Sequence, residues 1–338
     1  MPKVTILMPV YNAGNFLYET IQNVLCQTFT DYRFLIINDG STDNSEDIIL
    51  SFSDPRIVYC KNDKNLGLVA TLNKGIGMTE TEFLARMDAD DLWEPLKLEK
   101  QISLLEVRSD VGICGTSIRK FGVINGDFIF PVENDALKVG FLFYCMMSHP
   151  SVVFRMSFLI ESGLLYNADF YPAEDYKMWV DALDRTHIYN IPEVLVYYRQ
   201  HGTQITQDSN LIQREKSYTV REELVRRIYP SISGVELDFF QKVFANLDFC
   251  SVHDYRRSKN FANLLLTENR RTQYIQHKVL KKELNRYMQI GYKAYILKIF
   301  FPEKKMKYMF RYIFSLRWIY LTPRRNARLL FDSLLNRK

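Results

Sequence analysis

The sequence predicts an α/β fold: a doubly wound, mostly parallel sheet followed by a helical C-terminal extension. Three observations predict it. Through the first hundred residues, apolar runs of strand length alternate with amphipathic runs of helical spacing. Polar and acidic motifs recur directly after those apolar runs, where parallel sheets bind ligands. Beyond residue 207 a helical pattern replaces the alternation and the charge balance turns basic.

Val4–Val10 reads as the first strand, and Phe16–Gln27 as a helix with apolar residues at Phe16, Leu17, Ile21, Val24 and Leu25. Arg33–Asn38 is a second strand. Ser41-Thr42-Asp43 is expected to cap a helix running to about Phe52. Arg56–Cys60 reads as a strand, Leu68–Met78 as a helix and Glu82–Met87 as a strand. Pro95 stands near the start of a helix that runs through Glu106, where its missing N–H costs little. Val111–Pro131 is strand-rich and irregular. Helix is expected from Asn134 to about Met146 and over Glu174–Leu183, and strand over Ser151–Phe154 and Val194–Arg199. After Gln207 the pattern is helical, with breaks expected at Pro230, Gly291, Pro302 and Pro323. The expected domains are therefore 1–207, which carries the chemistry, and 208–338, helical and basic.

Composition narrows the function classes. Of 338 residues, 47% are hydrophobic and 25% charged, a globular balance. With 23 Phe and 21 Tyr, long disordered tracts are not expected. The five cysteines are scattered and form no CxxC pair, which argues against a zinc site or disulfide framework and fits a reducing cytosol. Val4–Val10 is too short for a signal segment. No apolar stretch reaches the roughly 20 residues needed to span a bilayer. The net charge of +5 hides an asymmetry. Residues 270–338 hold 18 Lys/Arg against three acids, a net of +15, which leaves −10 for residues 1–269.

Five motifs can carry chemistry. Pro9-Val10-Tyr11-Asn12 offers backbone groups and an aromatic ring that can cradle a planar base; a plain strand-to-helix turn is the alternative. In Asn38-Asp39-Gly40-Ser41-Thr42-Asp43, Asp39 can accept an N–H from a base such as uracil, or the segment is a turn with Ser41 or Asp43 as helix cap. In Arg86-Met87-Asp88-Ala89-Asp90-Asp91, an extended backbone would point Asp88 and Asp90 the same way. Hard carboxylate oxygens there suit Mn²⁺ or Mg²⁺ bound together with substrate phosphates, and Arg86 adds a fixed positive charge. In Ala173-Glu174-Asp175-Tyr176, a carboxylate can act as general base or interact with the start of a helix. In Tyr198-Arg199-Gln200-His201-Gly202-Thr203-Gln204, His201 can complete a metal shell or touch the diphosphate, or is a structural histidine, and Arg199 can steady phosphate.

Together, and in this order, these stretches and Asn65-Leu66-Gly67 resemble the family 2 glycosyltransferases over residues 3–205. The resemblance implies a GT-A fold and a non-processive, inverting enzyme with a nucleotide-sugar donor, usually a UDP-sugar. Asp39 would hold the uracil, with Pro9, Val10, Tyr11, Asn12, Asn65, Gly67, Arg86 and Ala89 around the donor. Asp88 would face ribose or phosphate and share the metal with Asp90 and His201. Asp175 would be the base, with Glu174 as the other choice. Ser148-His149-Pro150-Ser151-Val152-Val153-Phe154-Arg155 looks like a stretch of bacterial members that build surface polysaccharide, which suggests a glycan or lipid-linked acceptor; His149 reads as a loop residue before a buried strand. Processive members carry QxxRW, and here Phe314 precedes Arg317-Trp318 where the Gln would stand.

The basic residues of 270–338 are interleaved with apolar runs, as in helices that lie on anionic membranes. A cytosolic chain peripheral on the inner face of the membrane is therefore expected, with an anionic membrane surface as partner; the alternative is a packed appendage with solvated charges. Nucleic acid is not expected as a partner, since the acidic first part would repel it. A nucleotidyltransferase is the enzymatic rival, although the segment after the first strand lacks a Gly-rich basic loop. A non-enzymatic binder is the other.

Overall fold

Strand β1, Val4–Val10, is buried at all seven residues, the signature of a strand covered on both faces. The computed structural model describes residues 1–123, 125–201 and 210–300. Strands β2 (Tyr32–Asn38), β3 (Ile57–Lys61) and β4 (Phe83–Arg86) join β1 in the parallel order β3-β2-β1-β4. Helices α1 (Leu17–Leu25), α2 (Ser45–Leu50) and α3 (Leu68–Gly77) lie in the connections. Val10 pairs with Asn38, and Asn38 with Lys61, so the carboxyl ends of these strands are level. The loops that follow them open along one edge of the sheet.

The chain continues through β5 (Leu92–Trp93), α4 (Lys97–Val107), β6 (Val111–Gly122), β7 (Gly126–Phe128), α5 (Asn134–Phe141) and a 3-10 turn, His149–Ser151. Then come β8 (Val153–Arg155), α6 (Met156–Ser162), α7 (Glu174–Ala182) and β9 (His187–Gln200). The sheet extends as β4-β8-β6-β9-β5. Strand β8 runs antiparallel to both β4 and β6, and β5 antiparallel to β9, whereas β6 and β9 are parallel. The expected parallel sheet is therefore realised in the first half and mixed in the second.

Three local expectations need correction. The last strand is far longer than Val194–Arg199, because Pro192 and Glu193 bulge out between the pairs Thr116–Ile191 and Ser117–Val194 and mask the pattern. Helix α2 is not capped by Ser41: its N-cap is Asn44, with no side-chain cap bond. Gly291 breaks no helix. It lies inside the final described helix, where an added Cβ would come 2.5 Å from the Phe249 ring.

The molecule divides into two compact units, Met1–Asn125 with Phe130–Leu224, and Gly126–Ile129 with the residues from 225 on. Helix α8 (Asn210–Ile228) contains the division. Residue 207, where the sequence suggests a boundary, lies outside the described residues, as do Gly202-Thr203-Gln204, Arg317-Trp318 and the positions of Pro302 and Pro323. The second unit contains α9 (Gly234–Phe239), entered through a Ser233–Glu236 capping box, α10 (Val252–Thr272) and α11 (His277–Phe300). Its core includes the rings of Phe240, Phe244 and Phe261, with centroids 5.4–5.8 Å from Phe261. Among the described residues no helix is long and apolar enough to cross a membrane.

Candidate active site

The site grows from the loops at the carboxyl ends of β1, β2 and β4. Asn12 ends the turn after β1 with φ +50°, a left-handed conformation that asparagine tolerates. Its Oδ1 accepts the Thr42 N–H at 2.8 Å, and its own N–H reaches Ser41 Oγ at 3.1 Å. Asp43 accepts from the Gly14 and Ser45 N–H groups. Ser41 and Asp43 thus lace two loops together, which frees the ends of β1 and β2 to form one rim. Pro9 and Val10 are buried beneath it, and Tyr11 stands half exposed on it.

Asp39 is buried and satisfied by the chain itself. Oδ1 accepts from Asn62 Nδ2 at 2.7 Å and from the Leu66 N–H at 2.9 Å, and Oδ2 accepts from the Gly67 N–H at 2.9 Å. Two bonds fill Oδ1, so Oδ2 keeps room for one further donor. Lys74 of α3 donates to Asn62 Oδ1 at 2.6 Å, which orients the Asn62 amide toward Asp39. Asn65 Oδ1 shares the Gly67 N–H at 2.8 Å. Gly40 has φ +70°, and a Cβ there would stand 2.7 Å from the Asn65 nitrogen, so this crossing of loops requires glycine.

The acids after β4 sit in a turn rather than an extended segment. That corrects the alternation argument and improves the geometry: Asp88, Asp90 and Asp91 each bring one carboxylate oxygen to within 4.8 Å of the others. Ala89 is buried in the bend. Asp91 is 1% exposed, accepts the Arg199 N–H at 2.7 Å through Oδ1, and leaves Oδ2 without a hydrogen-bond partner. Burial and its two acidic neighbours push its carboxyl well above the usual range. Three hard carboxylate oxygens so close, beside an unpartnered buried Asp91 Oδ2, fit a small divalent cation. Asp91 stands outside the ligand set of Asp88, Asp90 and His201 that the sequence suggests; its approach to the cluster depends on a turn that strand periodicity does not foretell.

His201 reaches the cluster through Asp90, with Nε2 2.8 Å from Asp90 Oδ2 and its ring 4.7 Å from Phe16. Arg199, expected to steady phosphate, is held by groups of the chain itself. Its Nε donates to the Asp90 carbonyl at 2.7 Å, a terminal nitrogen pairs with Glu19 at 2.7 Å, and Phe16 and Phe121 lie 4.7 and 4.6 Å from the guanidinium carbon.

Arg86 links the acids of this loop to those of α7. It is 2% exposed and ion-paired with Asp88, and its Nε has no hydrogen-bond partner. Burial works against its charge, but Asp88 prevails and keeps it protonated. Helix α7 is anchored by the buried Trp179, stacked 5.7 Å from Phe154 of β8. Its first residues, Glu174 and Asp175, are not caps: the N-cap is Ala173, with no side-chain bond. Desolvation raises Asp175 to about 6, although the Tyr176 N–H at 2.6 Å and the Arg86 charge pull it down. Desolvation and the Asp175 charge raise Glu174 to about 7, and Glu174 Oε2 is buried without a partner. Arg86 and Asp88 both lie close enough to act on Asp175 and Glu174.

His149 stands in the short turn before buried β8, as the sequence suggests, and Tyr166, which the sequence does not single out, meets it. His149 Nε2 and the Tyr166 hydroxyl are 2.8 Å apart, and burial with the nearby Arg86 holds the imidazole neutral. Tyr166 is fixed by two backbone bonds to Asn73 of α3, at 2.8 and 3.0 Å. An aromatic residue in an irregular connection carries no periodic signal.

Comparison with known proteins places this geometry in context. Residues 5–134 match the family described as Glycosyl transferase family 2. An uncharacterized glycosyltransferase of Haemophilus influenzae is 28% identical over 79% of this chain and 85% of its own length. The Escherichia coli UDP-Glc:alpha-D-GlcNAc-diphosphoundecaprenol beta-1,3-glucosyltransferase WfgD is 31% identical over 55% of this chain and 71% of its own length. Among solved structures, S. aureus TarS 1-349 in complex with UDP-GlcNAc aligns with a TM-score of 0.58 and 15% identity, covering 87% of this chain and 91% of that one. The mannosyltransferase PcManGT from Pyrobaculum calidifontis, in complex with GDP-Man and Mn²⁺, aligns with a TM-score of 0.53 and 14% identity over 90% and 88% of the two chains.

Proposed function

The chain belongs to glycosyltransferase family 2, and from that premise we propose that it is a metal-dependent, inverting enzyme that moves a sugar from a UDP-sugar to a hydroxyl of a lipid-linked glycan. One observation carries the reading: the acid cluster Asp88-Asp90-Asp91 and the acids Glu174-Asp175 flank the buried guanidinium of Arg86. The choice of donor and acceptor draws support from WfgD and from a second E. coli relative, WfaP, both named as UDP-Glc:alpha-D-GlcNAc-diphosphoundecaprenol beta-1,3-glucosyltransferases.

In this reading Asp88, Asp90 and Asp91 would hold Mn²⁺ or Mg²⁺, with His201 beside them. The ion supplies counter-charge to the diphosphate of the donor. Oδ2 of Asp39, at the rim formed by Pro9, Val10, Tyr11, Asn12, Asn65 and Gly67, takes the uracil N–H. Asp175, poised near 6, removes the proton from the acceptor hydroxyl. The hydroxyl oxygen bonds to the anomeric carbon on the face opposite the diphosphate, the carbon–oxygen bond to the diphosphate breaks, and UDP leaves with that electron pair. Arg86 holds Asp88 in place and keeps a positive charge beside Asp175. Glu174, largely protonated below pH 7, can donate to a sugar oxygen.

The test is UDP release with a panel of UDP- and GDP-sugars and a diphospholipid-linked GlcNAc acceptor, for the native enzyme, Asp90→Ala and Asp175→Asn. The reading expects acceptor-dependent UDP release, abolished in Asp90→Ala. It expects Asp175→Asn to keep donor affinity and lose at least about 100-fold in rate. Near-native turnover by Asp90→Ala would remove the metal, and pyrophosphate release from a nucleoside triphosphate would replace sugar transfer with nucleotidyl transfer.

A further inference from the structure

The second unit holds a helical hairpin with one sign of charge outward. Asn269, buried at the end of α10, clasps the turn by donating to the Ile275 carbonyl at 2.7 Å and accepting its N–H at 3.0 Å. At the other end Tyr255 of α10 meets Tyr292 of α11 at 4.7 Å, so the helices run antiparallel. At 100° per residue, the buried positions Ser258, Phe261, Ala262, Leu265 and Asn269 form one strip of α10. Leu280, Leu284 and Tyr287 lie on the buried strip of α11.

Opposite those strips the exposed charges are all positive. Arg256, Lys259 and Arg270 on α10, with Lys278 and Lys281 on α11, are exposed and have no ion-pair partner among the described residues. Arg271 and Lys282 are exposed as well, at 3.4 Å from Glu268 and 3.8 Å from Glu283. The acids of the two helices, Asp254, Glu268 and Glu283, are half-buried or buried. A helix face that carries one sign of charge is complementary to an anionic surface, which would relieve its self-repulsion.

We propose that the outward faces of α10 and α11 dock on anionic lipid headgroups of a bilayer. The contact is electrostatic and peripheral, made by Arg256, Lys259, Arg270, Lys278 and Lys281, with the tyrosine pair at one end of the hairpin suited to the headgroup region. The inference rests on the charge of this hairpin and not on the catalytic reading. Its consequence for that reading is concentration: a docked enzyme meets a lipid-borne acceptor in two dimensions instead of three.

The test is flotation of the full chain with vesicles of phosphatidylcholine alone and of phosphatidylcholine with phosphatidylglycerol. The native protein should float only with the anionic vesicles, and less as salt rises. Lys278→Glu with Lys281→Glu, and separately Arg256→Glu with Lys259→Glu, should each weaken that partition at least about 10-fold, with the melting temperature and UDP release to a soluble acceptor unchanged. The neutral pair Lys278→Gln with Lys281→Gln should give an intermediate loss and serves if the reversed pair does not fold. Native binding to anionic vesicles that all of these variants retain would overturn the assignment. So would absence of native binding, or a stronger salt-sensitive affinity for duplex DNA than for the vesicles.

Discussion

The buried charges of this chain make different demands on pH and on their neighbours. If Asp175 is the base, it must be ionised, so kcat/KM should climb as pH rises through about 6 and level off above it. A pH–rate profile checks this, and Asp175→Asn should flatten it. Glu174 has the opposite bearing on stability. Its folded pKa, about 7, exceeds the ordinary value of 4.5, so burial favours the protonated form. The stability this contributes is complete below 4.5 and lost as pH rises through 7. Glu174→Gln should therefore match the native melting temperature at pH 4.5 and exceed it at pH 8, by the equivalent of about 1–3 kcal/mol. Arg199 acts in this account as a positioning residue, because it grips the Asp90 carbonyl while packed against Phe16 and Phe121. Lysine keeps the charge but loses the planar fork and the stacking. Arg199→Lys should raise the Mn²⁺ concentration for half-maximal rate about 10-fold with little change in the pH profile; an unchanged Mn²⁺ midpoint would deny it that role.

At the scale of elements, the β1, β2 and β4 ends depend on tight loop crossings. Gly40→Ala needs φ +70° and places a methyl 2.7 Å from the Asn65 backbone. It should cost about 1–3 kcal/mol in chemical denaturation and raise the donor KM, because the 65–67 loop that satisfies Asp39 must move. Helix α4 opens with a different liability: Lys97 is fully buried, its Nζ has no hydrogen-bond partner, and burial lowers it to about 7, with the Trp93 ring 3.7 Å away as partial compensation. Between pH 7 and 10.5 the unfolded chain binds a proton there that the folded chain does not, so this site disfavours folding most at and below pH 7. Lys97→Met should accordingly raise the melting temperature at pH 7, and the gain should shrink toward pH 10.5.

The legible part of the fold was the part governed by period. The βα alternation of residues 1–107 reads directly, because each buried strand is a continuous apolar run and each helix has one apolar face. What escaped was set by local exceptions and by contacts distant in sequence. Pro192 and Glu193 hid half of β9 because a bulge obeys no alternation, and Gly291 read as a break because its reason is the Phe249 ring. At the site, the acids after β4 and at the start of α7 were legible by type and position. The turn that draws in Asp91, the stacking that diverts Arg199, and the His149–Tyr166 pair emerge only when the chain folds.

For the whole molecule, the central claim is that Asp88, Asp90 and Asp91 hold one divalent cation against a nucleoside diphosphate. Titration of Mn²⁺ into the full-length protein with UDP present, followed by the electron paramagnetic resonance signal of free Mn²⁺, tests it most directly. The account predicts one site per chain, tightened by UDP, and weakened at least about 100-fold in Asp90→Asn. Mn²⁺ binding that is indifferent to UDP and unchanged in Asp90→Asn would contradict it.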